Sequence, residues 1–518
     1  MTVLSHLPLP EATDHSRRDR GPISKGADWT FDLLGRYDHA IHEIAANEFH
    51  LDTYPNQIEV IASEQMLDAY ASAGLPIGYP HWSYGKEFIR NEQMYRKGAR
   101  GLAYEIVINS NPCIAYLMEE NSIAMQALVI AHASYGHNSF FKGNYLFRQW
   151  TSADAIIDYM VFARQFVMQC EERYGFGAVE DVLDSCHALM SHGVDRYRHP
   201  AQLSVEEERN RIREREEHAW KRHDEIWRTV PKRKSREHGR HRPEPPYPVE
   251  PQENLLYFIE KHAPKLDDWQ REVVRIVRKL AQYFYPQGLT KVMNEGWATF
   301  WHYTLLNRLF DKGLVDDGFM IEWLASHTNV VTQRGFDQQG YGGINPYALG
   351  FSMMSDIRRI CEHPTDEDRA WFPDIAGGDW RKVLDFAMRN YKDESFIGQF
   401  LSPKLMREFH FFAIADHAAE NDLVVDSIHN DQGYRRLRRL LAQQYNRDLQ
   451  QPDIQVTRYE RHGDRSLTLR HLQHRGRPLD EVSAEVLKHV ARLWGFGVRL
   501  ETVDPQGAVV GTREARPY

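Results

Sequence analysis

Two segments far apart in the chain combine metal-binding side chains with apolar neighbours. Residues 129–141 contain His132 and His137, and residues 292–302 contain Glu295. An unpaired polar group buried in such surroundings costs roughly 1–3 kcal/mol or more, so these side chains need partners. Two histidines on one helix and a glutamate on a distant helix form the ligand set of many zinc hydrolases. The residue types therefore predict that His132, His137 and Glu295 hold zinc or another divalent metal.

The spacing of the two histidines departs from the usual zinc-hydrolase pattern. The usual pair stands four residues apart with a glutamate directly after the first histidine. Here His132 and His137 are five residues apart, and Ala133 follows the first. On a straight α-helix this spacing turns the side chains roughly 140° apart, with about 7.5 Å of rise. A π-bulge or a break at Gly136 would bring both rings to one side.

The missing glutamate means that another carboxylate must accept the proton. Glu119 and Glu120 precede the histidine helix and are the predicted catalytic bases. His302 lies seven residues after Glu295, on the same helix face but about 10 Å further along the axis. It would therefore support a ligand or belong to a neighbouring site. Weaker ligand candidates are His42, Glu48 and Asp52, and His81 and His302 are weaker candidates for direct catalytic groups.

Composition limits the classes of protein to which the chain can belong. Hydrophobic residues make up 42% of its 518 positions, which is enough for a sizeable core. The net charge of -9 argues against a nucleic-acid binder, which needs a basic surface. No apolar run is long enough for a membrane span, and residues 1–20 do not resemble a secretory signal. Four widely spaced cysteines predict reduced thiols, so we expect a cytoplasmic protein.

The pattern of apolar residues predicts a mainly α protein with a small α/β module at its C-terminal end. The divisions are a flexible arm at 1–27, a large helical domain at 28–447 and the α/β module at 448–518. A charged and Pro-rich stretch at 204–252 is typical of an insertion or linker. Helices are predicted at 31–49, 58–73, 122–137, 153–174, 179–190, 269–285, 289–309, 351–362, 380–389, 403–412 and 479–494, and strands at 103–108, 455–461, 466–473 and 498–503.

Several phrases of the chain resemble the SpoVR family, which comprises stage V sporulation protein R and its relatives in non-sporulating bacteria. One is Asn294-Glu295-Gly296-Trp297-Ala298, and another is the segment that starts at His132. The resemblance extends from about residue 27 to the C-terminus. The matching stretches are residues 48–57, 101–105, 132–141, 192–197, 294–298, 343–350, 371–377 and 392–403.

The resemblance implies a role but no catalytic residue. In spore formers the family is associated with assembly of the spore cortex, a peptidoglycan layer. In enterobacteria the similar protein occurs together with a stress-linked serine protein kinase, which makes that kinase system a candidate partner. The segment around Glu295 is also similar to the glutamate-bearing helix of gluzincin peptidases, so the helices of the large domain would be divergent zincin-like helices.

Two functions remain open from the sequence. The first is a metal-dependent hydrolase of amide bonds, in which the cation lowers the pKa of its bound water toward 7. The second is a regulatory or scaffold protein without catalytic activity that acts with the kinase or with a cell-wall assembly machine. In that case His132, His137 and Glu295 would be hydrogen-bonded core residues. Nucleic-acid binding is disfavoured by the net charge.

Overall fold

Helices form most of the part of the chain that the structure describes, as the apolar periodicity predicted. A computed structural model describes residues 3–4, 21–66, 78–79, 81–82, 105–197, 214, 247–335, 342–411, 413–415, 424–426, 430–473 and 478–517. The α-helices are α1 Phe31–His42, α2 Ile123–Val129, α3 Asn138–Gly143, α4 Tyr145–Trp150, α5 Ile156–Tyr174, α6 Phe176–Ala188, α7 Leu255–His262, α8 Asp268–Leu289, α9 Lys291–Asp311, α10 Asp317–Val331, α11 Pro346–Glu362, α12 Asp366–Trp371, α13 Trp380–Asn390, α14 Asp393–Phe400, α15 Pro403–Glu408, α16 Asp431–Gln444, α17 Arg447–Gln450 and α18 Val482–Trp494.

Two further segments are π-helices, and both continue an α-helix. In a π-helix each N–H bonds to the C=O five residues back, so the turn is wider than in an α-helix. The segment Glu43–Glu48 extends α1, and Ile130–His137 joins α2 to α3. A short 3₁₀ turn covers Met190–His192. One continuous but irregular helical rod thus carries both candidate histidines.

The strands form three small antiparallel or mixed sheets. The first has the order β1–β2–β4–β3, the second β10–β9–β8–β7, and the third pairs β5 with β6. In the first sheet β2 and β4 are parallel, and β3 is an edge strand antiparallel to β4. The strands are β1 Val3–Leu4, β2 Asn56–Ile61, β3 Glu105–Ile108, β4 Cys113–Met118, β5 Ala413–Ala415, β6 Val424–Asp426, β7 Asp453–Tyr459, β8 Leu467–Leu472, β9 Val498–Val503 and β10 Val509–Ala515.

The first sheet corrects one prediction from the sequence. Residues 58–61 were predicted as the start of a helix over 58–73, but they belong to β2. The β-branched residues Ile58, Val60 and Ile61 suit a strand, and β2 finds a parallel partner in β4, which lies more than fifty residues later. Residues 67–73 lie outside the described residues. The predicted strand near 103–108 is confirmed over Glu105–Ile108.

A buried apolar cluster surrounds the histidine and glutamate helices. The π-helix Ile130–His137 is buried along its whole length, and α9 buries residues on nearly every face, Trp297 and Trp301 among them. Such a helix, apolar on all sides, belongs in a protein interior. The polar side chains on these two helices are therefore positioned by a rigid core.

The C-terminal strands and α18 share a second apolar cluster with the helices before them. Trp494 of α18 stacks on Phe258 of α7 with ring centroids 5.9 Å apart. The same cluster contains Val273 and Val277 of α8. The predicted combination of strands with a helix is present, and its core is continuous with α5 to α8. The proposed boundary at 448 stays a prediction.

The other two predicted segments, the flexible arm and the charged stretch, fall partly outside the described residues. Of the predicted flexible arm, residues 3–4 pair with β2 and residues 21–27 contact the folded chain, for example through a hydrogen bond from Ile23 N to Leu314 O. Most of the stretch 204–252 lies outside the described residues. Within the described part of the chain, no helix is both long and apolar enough to cross a membrane.

Candidate metal centre

The wide turn of the π-helix brings the two predicted histidines together. Asn138 N–H bonds to Ala133 O, five residues back, which is the π-helical pattern. Residues five apart then lie on one side of the rod. The imidazole rings of His132 and His137 are 4.6 Å apart between centroids and nearly perpendicular. The π-helical turn that the five-residue spacing would need for a shared ion is present over Ile130–His137.

Close packing against α9 accompanies the wide turn. A Cβ on Gly136 would lie 2.5 Å from Ala298 Cα, so only glycine permits this approach of the two helices. Trp297 Nε1 donates to Ser139 Oγ at 2.9 Å, and Ser139 Oγ donates to Tyr135 O at 2.6 Å. Ser139 therefore satisfies a carbonyl of the irregular turn and joins it to the glutamate helix.

Two carboxylates face the two imidazoles. Glu105 Oε1 lies 3.2 Å from His132 Nε2 and 3.8 Å from His137 Nε2. Glu295 Oε2 lies 3.9 Å and 3.5 Å from the same two nitrogens. Strand β3 supplies Glu105 and helix α9 supplies Glu295, so three separate elements converge on one point. Sequence reasoning had brought together His132, His137 and Glu295 but had not included Glu105.

The outward-facing nitrogens of both imidazoles are already hydrogen-bonded. His137 Nδ1 lies 2.9 Å from Asn294 Oδ1, an acceptor, so Nδ1 donates to it while Nε2 faces the two carboxylates. His132 Nδ1 lies 2.9 Å from His302 Nδ1, and His302 Nε2 lies 2.8 Å from His327 Nδ1. Outer hydrogen bonds of this kind orient histidine ligands in metal sites.

Burial shifts the pKa values of Glu105 and of three histidines in this cluster toward their neutral forms. Burial raises the pKa of Glu105 well above its usual value, and the nearby charge of Glu295 raises it further. Burial and the neighbouring histidines lower the pKa values of His132 and His302 well below the usual value. Burial alone lowers the pKa of His327 to about 4. At neutral pH the imidazoles of His132, His302 and His327 are thus uncharged, as a metal ligand and its supports must be.

Helix α9, which carries Glu295, is anchored at its first turn. Asp393 accepts hydrogen bonds from Val292 N and Met293 N at 2.9 and 2.8 Å. Burial raises the pKa of Asp393 to about 7, although these backbone hydrogen bonds act in the opposite direction. One turn later Gly296 packs on Gly350 of α11, where a Cβ would lie 2.5 Å from the Gly350 backbone. The position of Glu295 is therefore fixed from two sides.

The donor set suits a divalent cation. Two neutral imidazole nitrogens and carboxylate oxygens are ligands for zinc and for other first-row divalent metals. Glu295 Oε2 is buried and has no hydrogen-bond partner within the described part of the chain. A carboxylate oxygen in that situation is stabilised if a cation binds beside it. Glu105, His132 and His137 also satisfy the distance requirement for three ligands of one ion.

An open pocket adjoins this cluster at Glu295. It has a volume of about 500 Å³, and Asn294 and Glu295 form part of its wall. Other wall residues come from the 3₁₀ turn at Met190–His192, from α8 and from α17. The size falls within the range of small-molecule sites. A ligand in this pocket would lie beside Glu295.

The other predicted residues lie elsewhere. Glu119 and Glu120, the predicted catalytic bases, are exposed in the turn after β4, and Glu120 Oε1 accepts from Ser63 N. Neither belongs to the carboxylates within 4 Å of His132 or His137 in the described part of the chain. The weaker ligand candidates are likewise separate: Glu48 pairs with Arg308 and Lys312, Asp52 pairs with Lys142, and His42 is exposed. His81, a weaker candidate for a catalytic group, contacts Asp184.

Three residues of the centre were not recognised as such in the sequence. Glu105 is a carboxylate at the start of an apolar strand, which is a usable signal because charged residues are rare there. Asn294 is adjacent to Glu295, where an acceptor for a histidine ligand is a reasonable expectation. His327 occupies an ordinary helix, and nothing in its local sequence marks it.

Comparisons with known proteins give a consistent family assignment. A family model described as "SpoVR like protein" matches residues 28–450, and one described as "SpoVR-like C-terminal domain" matches residues 452–505. The uncharacterized protein YcgB of Escherichia coli (strain K12) is 59% identical over 496 residues, which cover 96% of this chain and 97% of that protein. No solved structure matches the chain.

Proposed function

We propose that this chain, which belongs to the SpoVR family, is a divalent-metal-dependent hydrolase of amide bonds. The convergence of His132, His137, Glu105 and Glu295 beside an open pocket is the observation that supports the proposal. In this proposal His132, His137 and Glu295 hold the cation. A bound divalent cation would supply Lewis acidity, polarising a carbonyl and lowering the pKa of water toward neutrality.

Glu105 is the proposed proton acceptor, in place of Glu119 and Glu120. Its Oε1 lies 3.2 Å from His132 Nε2. A water molecule in contact with both imidazoles would therefore also lie close to Glu105. Because burial raises its pKa, Glu105 binds a proton more strongly than an exposed glutamate does. A general base works best when its pKa approaches the working pH. Glu105 would take a proton from the attacking water and return it to the leaving amine.

The remaining polar residues hold the ligands in their reactive form. Asn294 keeps the proton of His137 on Nδ1, so that Nε2 faces the centre. The proposal places the proton of His132 on Nδ1, from which it is donated to His302, because Nε2 would face the cation. His302 then donates from Nε2 to His327. This order of donors leaves every ligand nitrogen unprotonated without placing a charge in the core.

The family resemblance narrows the substrates worth testing. The family's association with the spore cortex makes peptide bonds of peptidoglycan or of its precursors the first choice. A role beside a stress-linked serine protein kinase is the alternative, and it predicts that His132, His137 and Glu295 are structural only. Metal content and hydrolysis separate the two proposals.

The test combines metal analysis with two glutamate variants. Purified wild-type protein, given zinc, manganese, iron or cobalt, should hold on the order of one equivalent of one metal. Glu295→Gln should lose that metal. Glu105→Gln should keep it but lose hydrolysis of a muropeptide and peptide mixture analysed by mass spectrometry. His262→Gln is the matched control, because His262 is half-buried and hydrogen-bonds Tyr247 away from the centre.

Two results would contradict the proposal. Wild-type protein with less than about a tenth of an equivalent of any transition metal would remove the metal centre. A well-folded Glu295→Gln protein with full metal and full activity in cells would favour the regulatory alternative. If Glu105→Gln loses the metal and Glu295→Gln keeps it, the two carboxylates have exchanged roles and the ligand assignment is wrong.

A further inference from the structure

The pocket beside the metal centre contains two cationic side chains. Lys291, the first residue of α9, and Arg447, the first residue of α17, both line it. The third charged residue of the wall is Glu295, whose negative charge the proposed cation would neutralise. The pocket would then have a net positive charge. Clefts with one sign of charge attract ligands of the opposite sign.

Neither cation is neutralised by a neighbour in the folded chain. Across the described ranges, Lys291 and Arg447 form no ion pair within 4.0 Å, whereas Arg275 and Arg278 both pair with Glu260. An arginine that lines a pocket without a carboxylate partner is available to bind an anion. The helix terminus at Lys291 is not the anion site, because Asp393 already occupies its first N–H groups.

The absence of a side chain at Gly288 leaves space for the guanidinium of Arg447. A Cβ on Gly288 would lie 2.3 Å from Arg447 Cζ and 2.4 Å from Nη1. The guanidinium therefore lies directly on the backbone of α8 near its C-terminal end, and any side chain at residue 288 would displace it. This contact places the guanidinium of Arg447 against the α8 backbone at the pocket wall.

We propose that Arg447 and Lys291 bind an oxyanion of the substrate, a carboxylate or a phosphate, and thereby direct the bond to be cleaved toward Glu295. The inference rests on the proposed hydrolase function and adds to it a substrate class, namely an amide that carries an anionic group. The pocket volume of about 500 Å³ accommodates a ligand of the size of a short peptide.

Three probes test the assignment on the full chain after chelator treatment, so that no metal contributes to binding. The probes are N-acetyl-dialanine with a free carboxylate, the same dipeptide as its C-terminal amide, and inorganic phosphate, each titrated calorimetrically. The carboxylate or the phosphate should bind about tenfold or more tightly than the amide. The stronger of the two anions identifies the source of the oxyanion.

Variants locate the binding to the pocket. Arg447→Gln and Lys291→Gln should each weaken anion binding several-fold, and high salt should do the same in the wild type. Gly288→Ala should also weaken it, although it removes no charge, because it displaces the guanidinium. Lys382→Gln, which changes a lysine with an 86% exposed side chain, is the matched control and should bind as the wild type does. Circular dichroism confirms that each variant is folded.

The outcomes separate this inference from the hydrolase proposal. Equal affinity for the carboxylate and the amide, or anion binding unchanged in Arg447→Gln, would overturn the inference. A wild-type protein that takes up metal but binds none of the probes would also overturn it, while the hydrolase proposal stood. The converse result is a protein that never holds metal but binds anions in an Arg447-dependent way. It would contradict the hydrolase proposal and support the oxyanion site.

Discussion

His132 and His137 are five residues apart, and their Nε2 atoms lie 3.2 and 3.8 Å from the same oxygen of Glu105. On a regular α-helix the two side chains would point roughly 140° apart. The π-helical turn removes that divergence, and the close approach of α9 at Gly136 accompanies it. The geometry of the centre therefore depends on a backbone irregularity as much as on the ligand residues. Rare π-helical turns are often found at functional sites for this reason.

Replacing Gly136 with alanine should destabilise the protein and loosen the centre. The new Cβ would lie 2.5 Å from the backbone atom Ala298 Cα, which cannot rotate away. Overpacking of this kind costs typically about 1–3 kcal/mol. We expect Gly136→Ala to unfold at a lower urea concentration and to bind metal less tightly.

The matched control for Gly136→Ala is Gly35→Ala. Gly35 lies within α1, and its Cβ would meet no heavy atom within 4 Å. Alanine is the better helix former, so this change should stabilise the protein by about 0.5–1 kcal/mol. Equal stability of the two variants would mean that the helices at Gly136 are not as close as described.

Replacing Asn294 with alanine should weaken metal binding without removing a ligand. Asn294 Oδ1 accepts the proton of His137 Nδ1 at 2.9 Å and so fixes the tautomer of that ring. Loss of such a supporting group typically lowers metal affinity about 10–100-fold. Competition with a chromogenic chelator measures the change. Asn307→Ala is the control, because Asn307 lies on the same helix but bonds only Tyr303 O at the exposed surface; it should bind metal normally.

Acid should destabilise the metal-free protein partly through His327. The folded-state pKa of His327 is about 4, and the unfolded-state value is about 6.5. Between these values the unfolded chain binds a proton that the folded chain does not, so stability falls as pH falls. His327→Gln, which can still accept from His302, should reduce the loss of unfolding free energy between pH 7 and pH 5 by about 1–2 kcal/mol.

Urea unfolding at the two pH values checks the role of His327. The change His363→Gln, at an exposed histidine, serves as the control and should show the wild-type pH dependence. If His327→Gln loses as much stability on acidification as the wild type does, the buried histidine does not contribute to the acid sensitivity.

Replacing Asp393 with alanine should destabilise the start of α9. The variant would leave the buried N–H groups of Val292 and Met293 without acceptors, at a cost of roughly 2–4 kcal/mol. Since Glu295 lies in the same turn, metal affinity should fall too. Asp379→Ala removes an exposed cap of α13 and should cost about 1 kcal/mol or less. Comparable losses in both variants would show that the burial of Asp393 has no special effect.

The sequence predicted those parts of the fold that depend on local pattern. The helices around residues 122–137 and 289–309 were predicted because apolar residues recur there with helical spacing. The possibility of an irregular turn could also be inferred from the sequence, because the five-residue spacing and Gly136 are both visible there. The prediction for residues 58–61 failed because β2 is defined by its pairing with β4, a remote partner.

The parts of the centre that were missed depend on long-range contacts. Glu105 lies on an edge strand, and its position beside His132 follows from how the sheet packs on the π-helix. His327 reaches the centre only through His302. Glu119 and Glu120 are nearer to the histidine helix along the chain, but the turn after β4 leaves them in solvent. Proximity in sequence was therefore a poor guide to proximity in space.

The five-residue histidine gap has a consequence for how such proteins are found. Motif searches for metalloenzymes usually require two histidines four positions apart, and a chain with one additional residue between them escapes such a filter. Deleting a single residue between His132 and His137 would restore the familiar interval while straightening the rod that makes this centre. A search for histidine pairs five positions apart, with a glycine directly before the second histidine, would therefore find chains that the usual motif misses.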